Sequence, residues 1–258
     1  MIRNNSFAIL LVCTLCSACS SGSGSGSKPK PPAIIPPPAA TQFGGLWFGS
    51  MTIDTMPDDE DLCGVLLTED GKFRFLCAFT ELQFAGMSSL SMNSLTGSGL
   101  AFSPTAFLDD SFVSELSIEA TLVKATSLIG TWSTAAGDSG SFNLIYDAEY
   151  ETPSSLALLE GVWQGIDEFG TPNASFTIDN LGSFTAQNAN GCTSSGMFHM
   201  LDARYNLVQV DSTIVGCPIA GDYSGLAMIF DDLASSDAML LSISNDQRAL
   251  LLDLEKLP

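Results

Sequence analysis

Residues 63–77, CGVLLTEDGKFRFLC, read as a single β-hairpin. The turn is the three-residue loop Glu69-Asp70-Gly71, with Gly71 in the left-handed conformation that glycine enters without steric cost, so that Thr68 pairs with Lys72. Running this register outward sets Leu67 opposite Phe73, Val65 opposite Phe75 and Cys63 opposite Cys77. All six side chains then share one face, and that face is apolar throughout. Directly opposed residues have Cα separations within reach of a disulfide. Turn chemistry, core face and cysteine pair therefore point to one arrangement.

The two-residue period continues along the chain. Phe73, Phe75, Cys77 and Phe79 alternate with Lys72, Arg74, Leu76 and Ala78. Leu116, Ile118, Ala120 and Leu122 alternate with Glu115, Ser117, Glu119 and Thr121, and Ala174, Phe176 and Ile178 with Ser175, Thr177 and Asp179. Such alternation marks antiparallel strands with one face on a core. A second loop, Asn180-Leu181-Gly182, predicts Ile178 opposite Phe184 and Phe176 opposite Ala186. Helical periodicity is missing apart from a turn around 154–160, so the fold class is all-β.

Four landmarks recur in order. Gly45-Leu46-Trp47 matches Gly161-Val162-Trp163, and the loop glycine Gly71 matches Gly182. Gly86-Met87 then matches Gly196-Met197, and Gly130-Thr131-Trp132-Ser133 matches Gly221-Asp222-Tyr223-Ser224. A duplication of this kind divides the chain into two units, 43–152 and 156–258, each the size of a small domain. In the second unit the strands read as 161–167, 174–179, 183–190, 194–201, 205–215, 221–230, 238–244 and 248–255. Short connections suit an up-and-down meander, and eight strands can close on themselves. The expectation is two tandem antiparallel meander β-barrel-like domains of about eight strands each, following a tether.

The N-terminus is an export signal. A charged start at Arg3 and a compact apolar run from Phe7 to Leu15 precede the small residues Ser17-Ala18 and then Cys19. This pattern resembles the lipobox of bacterial lipoproteins, although Cys16 stands where that family usually has Leu. The resemblance implies removal of residues 1–18, acylation of Cys19 and attachment to a membrane; Ser20 and Ser21 in place of a retention Asp imply the outer membrane. Residues 19–42 are then the lipidated Cys plus a Ser/Gly- and Pro-rich tether, flexible at first and stiffer over its prolines. The Gly-x-Trp motif at Trp47, Trp132 and Trp163 resembles the opening motif of lipocalins, which implies a Trp closing one end of a barrel. In that family an arginine packs on the Trp, a part that falls here to Arg248.

Charge and cysteines set further bounds. Of 9 basic and 29 acidic residues the leader removes only Arg3, leaving a net charge of about −21. Such a field repels nucleic acid and anionic headgroups, so no nucleic-acid partner is expected. Beyond the leader and Cys19, four cysteines remain: Cys63, Cys77, Cys192 and Cys217. An even number in an exported domain reads as two disulfides. Of three possible pairings, proximity favours Cys63–Cys77 and Cys192–Cys217. One histidine, His199, and no CxxC knuckle in the mature chain argue against zinc.

The motifs that invite chemistry are incomplete. Gly137-Asp138-Ser139-Gly140 resembles the nucleophile loop of chymotrypsin-type proteases, but the sole histidine, His199, lies after Ser139 and in the other unit. Asp58-Asp59-Glu60-Asp61 lacks the alternate spacing of a calcium loop and reads as a solvated acidic loop leading into Cys63, while Asp109-Asp110 and Asp231-Asp232 read as strand-end turns. The sequence therefore nominates no catalytic residue, metal or cofactor. It points to a non-enzymatic ligand-binding or interaction module of the cell envelope. Its partners are the membrane through Cys19, and a small apolar ligand or an envelope protein. A structural or assembly role is the alternative, with hydrolysis the weakest reading. Phe73, Phe75, Phe79, Phe176, Phe184, Met197 and Met228 are the expected lining of any apolar cavity.

Overall fold

A computed structural model of the chain describes residues 43–166, 172–231 and 237–258. The leader, Cys19, the tether and Asp232 lie outside the described residues. The hairpin is formed with β2 (Met56–Leu67) and β3 (Lys72–Cys77), in the register Cys63↔Cys77, Val65↔Phe75 and Leu67↔Phe73. Before it runs β1 (Gly45–Ile53); after it come β4 (Gln83–Ser91), β5 (Ser94–Phe102), β6 (Val113–Val123), β7 (Ser127–Thr134) and β8 (Ser139–Asp147). Each strand pairs with its sequence neighbour, and β8 returns to β1 to close an eight-stranded antiparallel barrel. A 3₁₀ turn (Ala148–Glu151) and a single helical turn, α1 (Leu156–Leu159), lead onward.

The second barrel repeats the meander. It comprises β9 (Gly161–Ile166), β10 (Pro172–Ile178), β11 (Ser183–Asn188), β12 (Thr193–Met200) and β13 (Val208–Val215). It is completed by β14 (Gly221–Asp231), β15 (Asp237–Ser244) and β16 (Ala249–Lys256), and β16 closes on β9. The all-β, two-barrel expectation is met, including Ile178↔Phe184 and Phe176↔Ala186.

Three of the four repeat landmarks occupy equivalent places. Gly71 and Gly182 have φ of +92° and +85°, the left-handed turn position. Each turn docks on the next strand, where Ser88 N–H donates to the Gly71 carbonyl at 2.7 Å and Phe198 N–H to the Gly182 carbonyl at 2.8 Å. One step later Phe73 lies over its cross-strand partner Gly86, and Phe184 over Gly196; a Cβ on either glycine would fall within 2.8 Å of the ring. The fourth landmark is corrected. Trp132 sits in the seventh strand of its barrel, whereas Tyr223 sits in the sixth strand of the other. Gly-x-aromatic is short enough to recur in non-equivalent strands.

Inward-pointing rings and aliphatic side chains fill each barrel. In barrel 1, Trp47, Phe75, Phe84, Trp132 and Phe142 pack together, with ring centroids 5.1–5.6 Å apart for Phe75–Phe142, Phe84–Trp132 and Phe75–Phe84. In barrel 2, Trp163, Phe176, Phe184, Phe198 and Tyr223 do the same. Fully burying a Phe or Leu side chain contributes roughly 1.5–3 kcal/mol, so these interiors are the main stabilising element.

A third cluster joins the two barrels. Leu46 and Leu66, on the outside of barrel 1, pack with Tyr205, Leu207, Leu226 and Met228 on the outside of barrel 2. Tyr150 stacks on Tyr205 at 4.6 Å, and its carbonyl accepts from Asn206 N–H at 2.9 Å. Met228, expected in a barrel core, therefore belongs to the contact between barrels. Phe79 is 77% exposed, and Met197 is half-buried on the outer surface. Of the seven expected cavity residues, Phe73, Phe75, Phe176 and Phe184 do face inward.

Candidate functional site

With the interiors occupied, the concave spaces described lie outside barrel 2. Cross-strand register aligns Thr177, Thr185, Ser195, Thr213 and Asp222 in one row across β10–β14. Ser175, Gln187, Thr193 and Val215 form the row beside it. Short hydroxyl side chains leave the surface recessed, and a groove of about 550 Å³ runs over them. A second groove of about 520 Å³ continues past Ser195 and Thr213 to Asp211, Asp222, Ser224 and Asn245. Hydroxyls, side-chain amides and two carboxylates line this face, and among the described residues neither groove has a lysine or arginine in its wall. Thr213 Oγ1 already donates to Asp222 Oδ1 at 2.7 Å. The arrangement offers hydrogen bonds to an uncharged polar ligand or to the backbone of a protein.

The residues that invited catalysis are apart. Ser139 opens β8 in barrel 1 and donates to Asp54 Oδ2 at 2.5 Å, tying the last strand to the first turn. His199 projects from β12 in barrel 2, with Nε2 3.1 Å from Asp211 Oδ2. Each has a carboxylate partner in its own barrel.

The acidic run leading into Cys63 is a strand where a loop was expected, and it is solvated only in part: Asp59 and Glu60 are exposed. Asp58 to Asp61 lie within strand β2, and Asp61 is buried. It accepts from the N–H groups of Phe79 and Thr80 at 2.9 Å each and from Thr80 Oγ1 at 2.5 Å, so it caps the loop after β3. Asp61 also lies close to Cys63 and Cys77, but those sulfurs form a disulfide of 2.04 Å and offer no thiolate to a metal. The second bond joins Cys192 to Cys217, with Cα atoms 5.2 Å apart. Asp109 does sit in a turn, where it accepts from Ser111 N–H at 3.0 Å and Ser111 Oγ at 2.5 Å.

The cation against a barrel-opening tryptophan is also reassigned. Trp163 pairs with Lys256 at the end of β16, and the Lys256 ammonium sits 5.3 Å above its ring. Arg248 precedes β16, at the far end of that strand, so it cannot reach Trp163. Trp163 Nε1 donates to the Leu159 carbonyl at 2.8 Å, which seals this end with α1. The Trp47 and Trp132 indole N–H groups, by contrast, are buried without a hydrogen-bond partner, their rings pressed against Gly45 and Gly140.

Arg74 carried no signal in the sequence beyond its outward parity on β3. It is 8% exposed and reaches across to barrel 2, donating to Ser244 Oγ and to the Ser224 carbonyl at 2.6 Å each. Burial pushes its guanidinium down to about 10. Next to it, Lys72 Nζ donates to Gln209 Oε1. Two charged donors that bridge to neutral acceptors fix the mutual register of the barrels. A continuous apolar run on both parities, Leu226-Ala227-Met228-Ile229-Phe230, was the available sign that β14 is covered on both faces.

No family pattern and no curated protein matches this chain. Among solved structures it is similar to a protein from Bacteroides fragilis NCTC 9343 described as a "putative outer membrane protein". The two share 9% identity over 84% of this chain and 99% of that one, with a TM-score of 0.30. A likeness so distant transfers neither fold nor function. Among the described residues no helix is long and apolar enough to cross a membrane. The barrels are apolar inside, and outward positions of barrel 1 such as Ser117, Glu119, Thr131 and Ser133 are polar, whereas a membrane-spanning barrel has a polar interior and an apolar outer band.

Proposed function

We propose that this chain is a lipid-anchored, non-enzymatic interaction module of the cell envelope whose working surface is the outside of its barrels. The observation that carries the reading is the filling of both interiors by side chains such as Phe75, Phe84, Trp132, Phe184 and Phe198. An eight-stranded barrel has room for side chains or for one small ligand, and here side chains take the space. The polar grooves over β10–β14 are then the recessed surfaces on which a partner docks. Anchorage rests on Cys19, with the Ser/Gly- and Pro-rich tether giving the barrels reach from the outer membrane.

Native mass spectrometry of the chain purified from its own envelope tests the proposal. The expected mass is that of the processed chain and its anchor, with no apolar small molecule retained. A stoichiometric apolar ligand would move the function inside a barrel and make the protein a carrier.

A further inference from the structure

The one histidine of this chain shares an outer face of barrel 2 with a methionine and an aspartate. Across β11 to β15, the outward positions Ser183, Met197, Asp211, Ser224 and Ser244 form one row. His199 stands two residues beyond Met197 on β12, so both project from the same side of that strand. Its Nε2 lies 3.1 Å from Asp211 Oδ2, and Asp211 is the direct cross-strand partner of Met197. Directly opposed Cβ atoms are roughly 5 Å apart, which places thioether, carboxylate and imidazole within reach of one point above the sheet. The His199 and Asp211 side chains are 49% and 51% exposed, so an ion from solvent has access to them. Packing does not account for Met197: among the described residues it belongs to none of the three apolar clusters, and its row is otherwise serines and an aspartate.

Imidazole nitrogen and carboxylate oxygen bind first-row divalent ions at about 2.0–2.2 Å, so two such donors on one ion at an angle near 100° stand about 3.1 Å apart. His199 Nε2 and Asp211 Oδ2 already have that separation. The carboxylate is also held from behind. Gln209 Nε2 donates to the same Asp211 oxygen at 3.5 Å, and Gln209 Oε1 accepts from Lys72, whose charge is paired with Asp70 at 3.9 Å. The character of the donors selects the metal. Calcium and magnesium take oxygen ligands, and the disulfides withhold the thiolates that a structural zinc site would use. A thioether is a soft donor suited to copper, and copper also heads the affinity order for nitrogen and oxygen donors. A net charge of −20 draws cations to the surface. We propose that His199 Nε2, Asp211 Oδ2 and Met197 Sδ form a copper-binding site on the outer wall of barrel 2, with its remaining coordination open to solvent.

Metal titration of the full chain, purified in detergent and freed of metal by a chelator, tests this. Cu(II) is added directly, and Cu(I) is supplied under ascorbate in competition with a chromophoric copper chelator. One equivalent of copper should bind per chain, with a Cu(II) electron paramagnetic resonance signal split by a single nitrogen. Zn(II) should bind at least about tenfold more weakly. His199→Gln should lose at least about tenfold in Cu(II) affinity, and Met197→Leu at least about tenfold in Cu(I) affinity. Met87→Leu, at an exposed methionine on β4 of barrel 1, should leave both affinities unchanged. Circular dichroism and peptide mapping of the Cys63–Cys77 and Cys192–Cys217 bonds verify that each variant is folded. Absence of saturable binding overturns the proposal, as does binding that survives His199→Gln. A site indifferent to Met197→Leu, or one that takes Zn(II) as tightly as copper, also overturns it.

Discussion

Three glycines share a left-handed backbone but differ in what surrounds them, and that difference makes alanine substitution a quantitative test of the fold. Gly71, Gly182 and Gly191 have φ of +92°, +85° and +83°. At Gly191 a Cβ would meet nothing within 4 Å, so Gly191→Ala carries only the conformational penalty. That penalty is about 1–2 kcal/mol, partly offset by the smaller entropy of the unfolded chain, for a net loss of roughly 1 kcal/mol. At Gly71 the Cβ would lie 2.2 Å from the Ser88 carbonyl oxygen and 3.1 Å from the Phe43 ring. Relief requires the turn to lift off β4, breaking the 2.7 Å bond from Ser88 N–H to the Gly71 carbonyl. Overpacking of this kind adds about 1–3 kcal/mol, for a total near 3 kcal/mol. Gly182→Ala should fall between, because its contact with the Phe198 carbonyl oxygen is 2.6 Å. Urea denaturation followed by tryptophan fluorescence and circular dichroism measures all three. The reasoning is refuted if Gly71→Ala destabilises no more than Gly191→Ala.

Replacing Cys63 and Cys77 together by Ala should cost on the order of 2–3 kcal/mol, because the bond closes a short loop of separation 14; a loss below about 1 kcal/mol in chemical denaturation would refute this. Asp61→Ala should lower stability by roughly 2–4 kcal/mol, since the N–H groups of Phe79 and Thr80 lose their acceptor; a loss under about 1 kcal/mol would show that the loop does not need its cap. Tyr150 is buried and donates to Glu69 Oε1, and its phenol is held above 10.0, chiefly by burial and next by the Glu69 charge. The unfolded chain therefore ionises first, and stability should fall as pH rises above about 10, with Tyr150→Phe showing a shallower fall. Parallel pH profiles of the two proteins would remove Tyr150 as the cause. Cys19→Ala should release the protein from membranes into the soluble envelope fraction, and unchanged membrane retention would refute the anchor.

What was legible in the sequence follows from how local the determining physics is. A Gly-ended three-residue loop and strict alternation specify a hairpin within about 15 residues, which is why the pairing from Leu67↔Phe73 to Cys63↔Cys77 could be read directly. Short loops then force each strand beside the next, leaving closure of the sheet as the remaining step. Alternation shows which side chains share a face and cannot show what lies beyond the outer one. Leu66, Arg74 and Met228 have outward parity, and only the second barrel explains their burial. Asp61 failed for a related reason: a carboxylate among other acids looks solvated until the loop after β3 supplies its donors. Arg248 and Lys256 show the same limit, because the register of β16 on β9, set by closure, decides which of them reaches Trp163.

Ring closure imposes an order of assembly on a chain that emerges N-terminus first. Barrel 1 can complete once β8 has emerged, whereas barrel 2 must wait for β16, the final strand of the meander. Until then, Leu46 and Leu66 have no wall to rest against and Arg74 no acceptor, so the finished half of the molecule presents an adhesive flank to its surroundings. A premature stop that deletes β16 would therefore do more than open the second ring. It would strand the first in its half-dressed state, exposed to chaperones, proteases and aggregation.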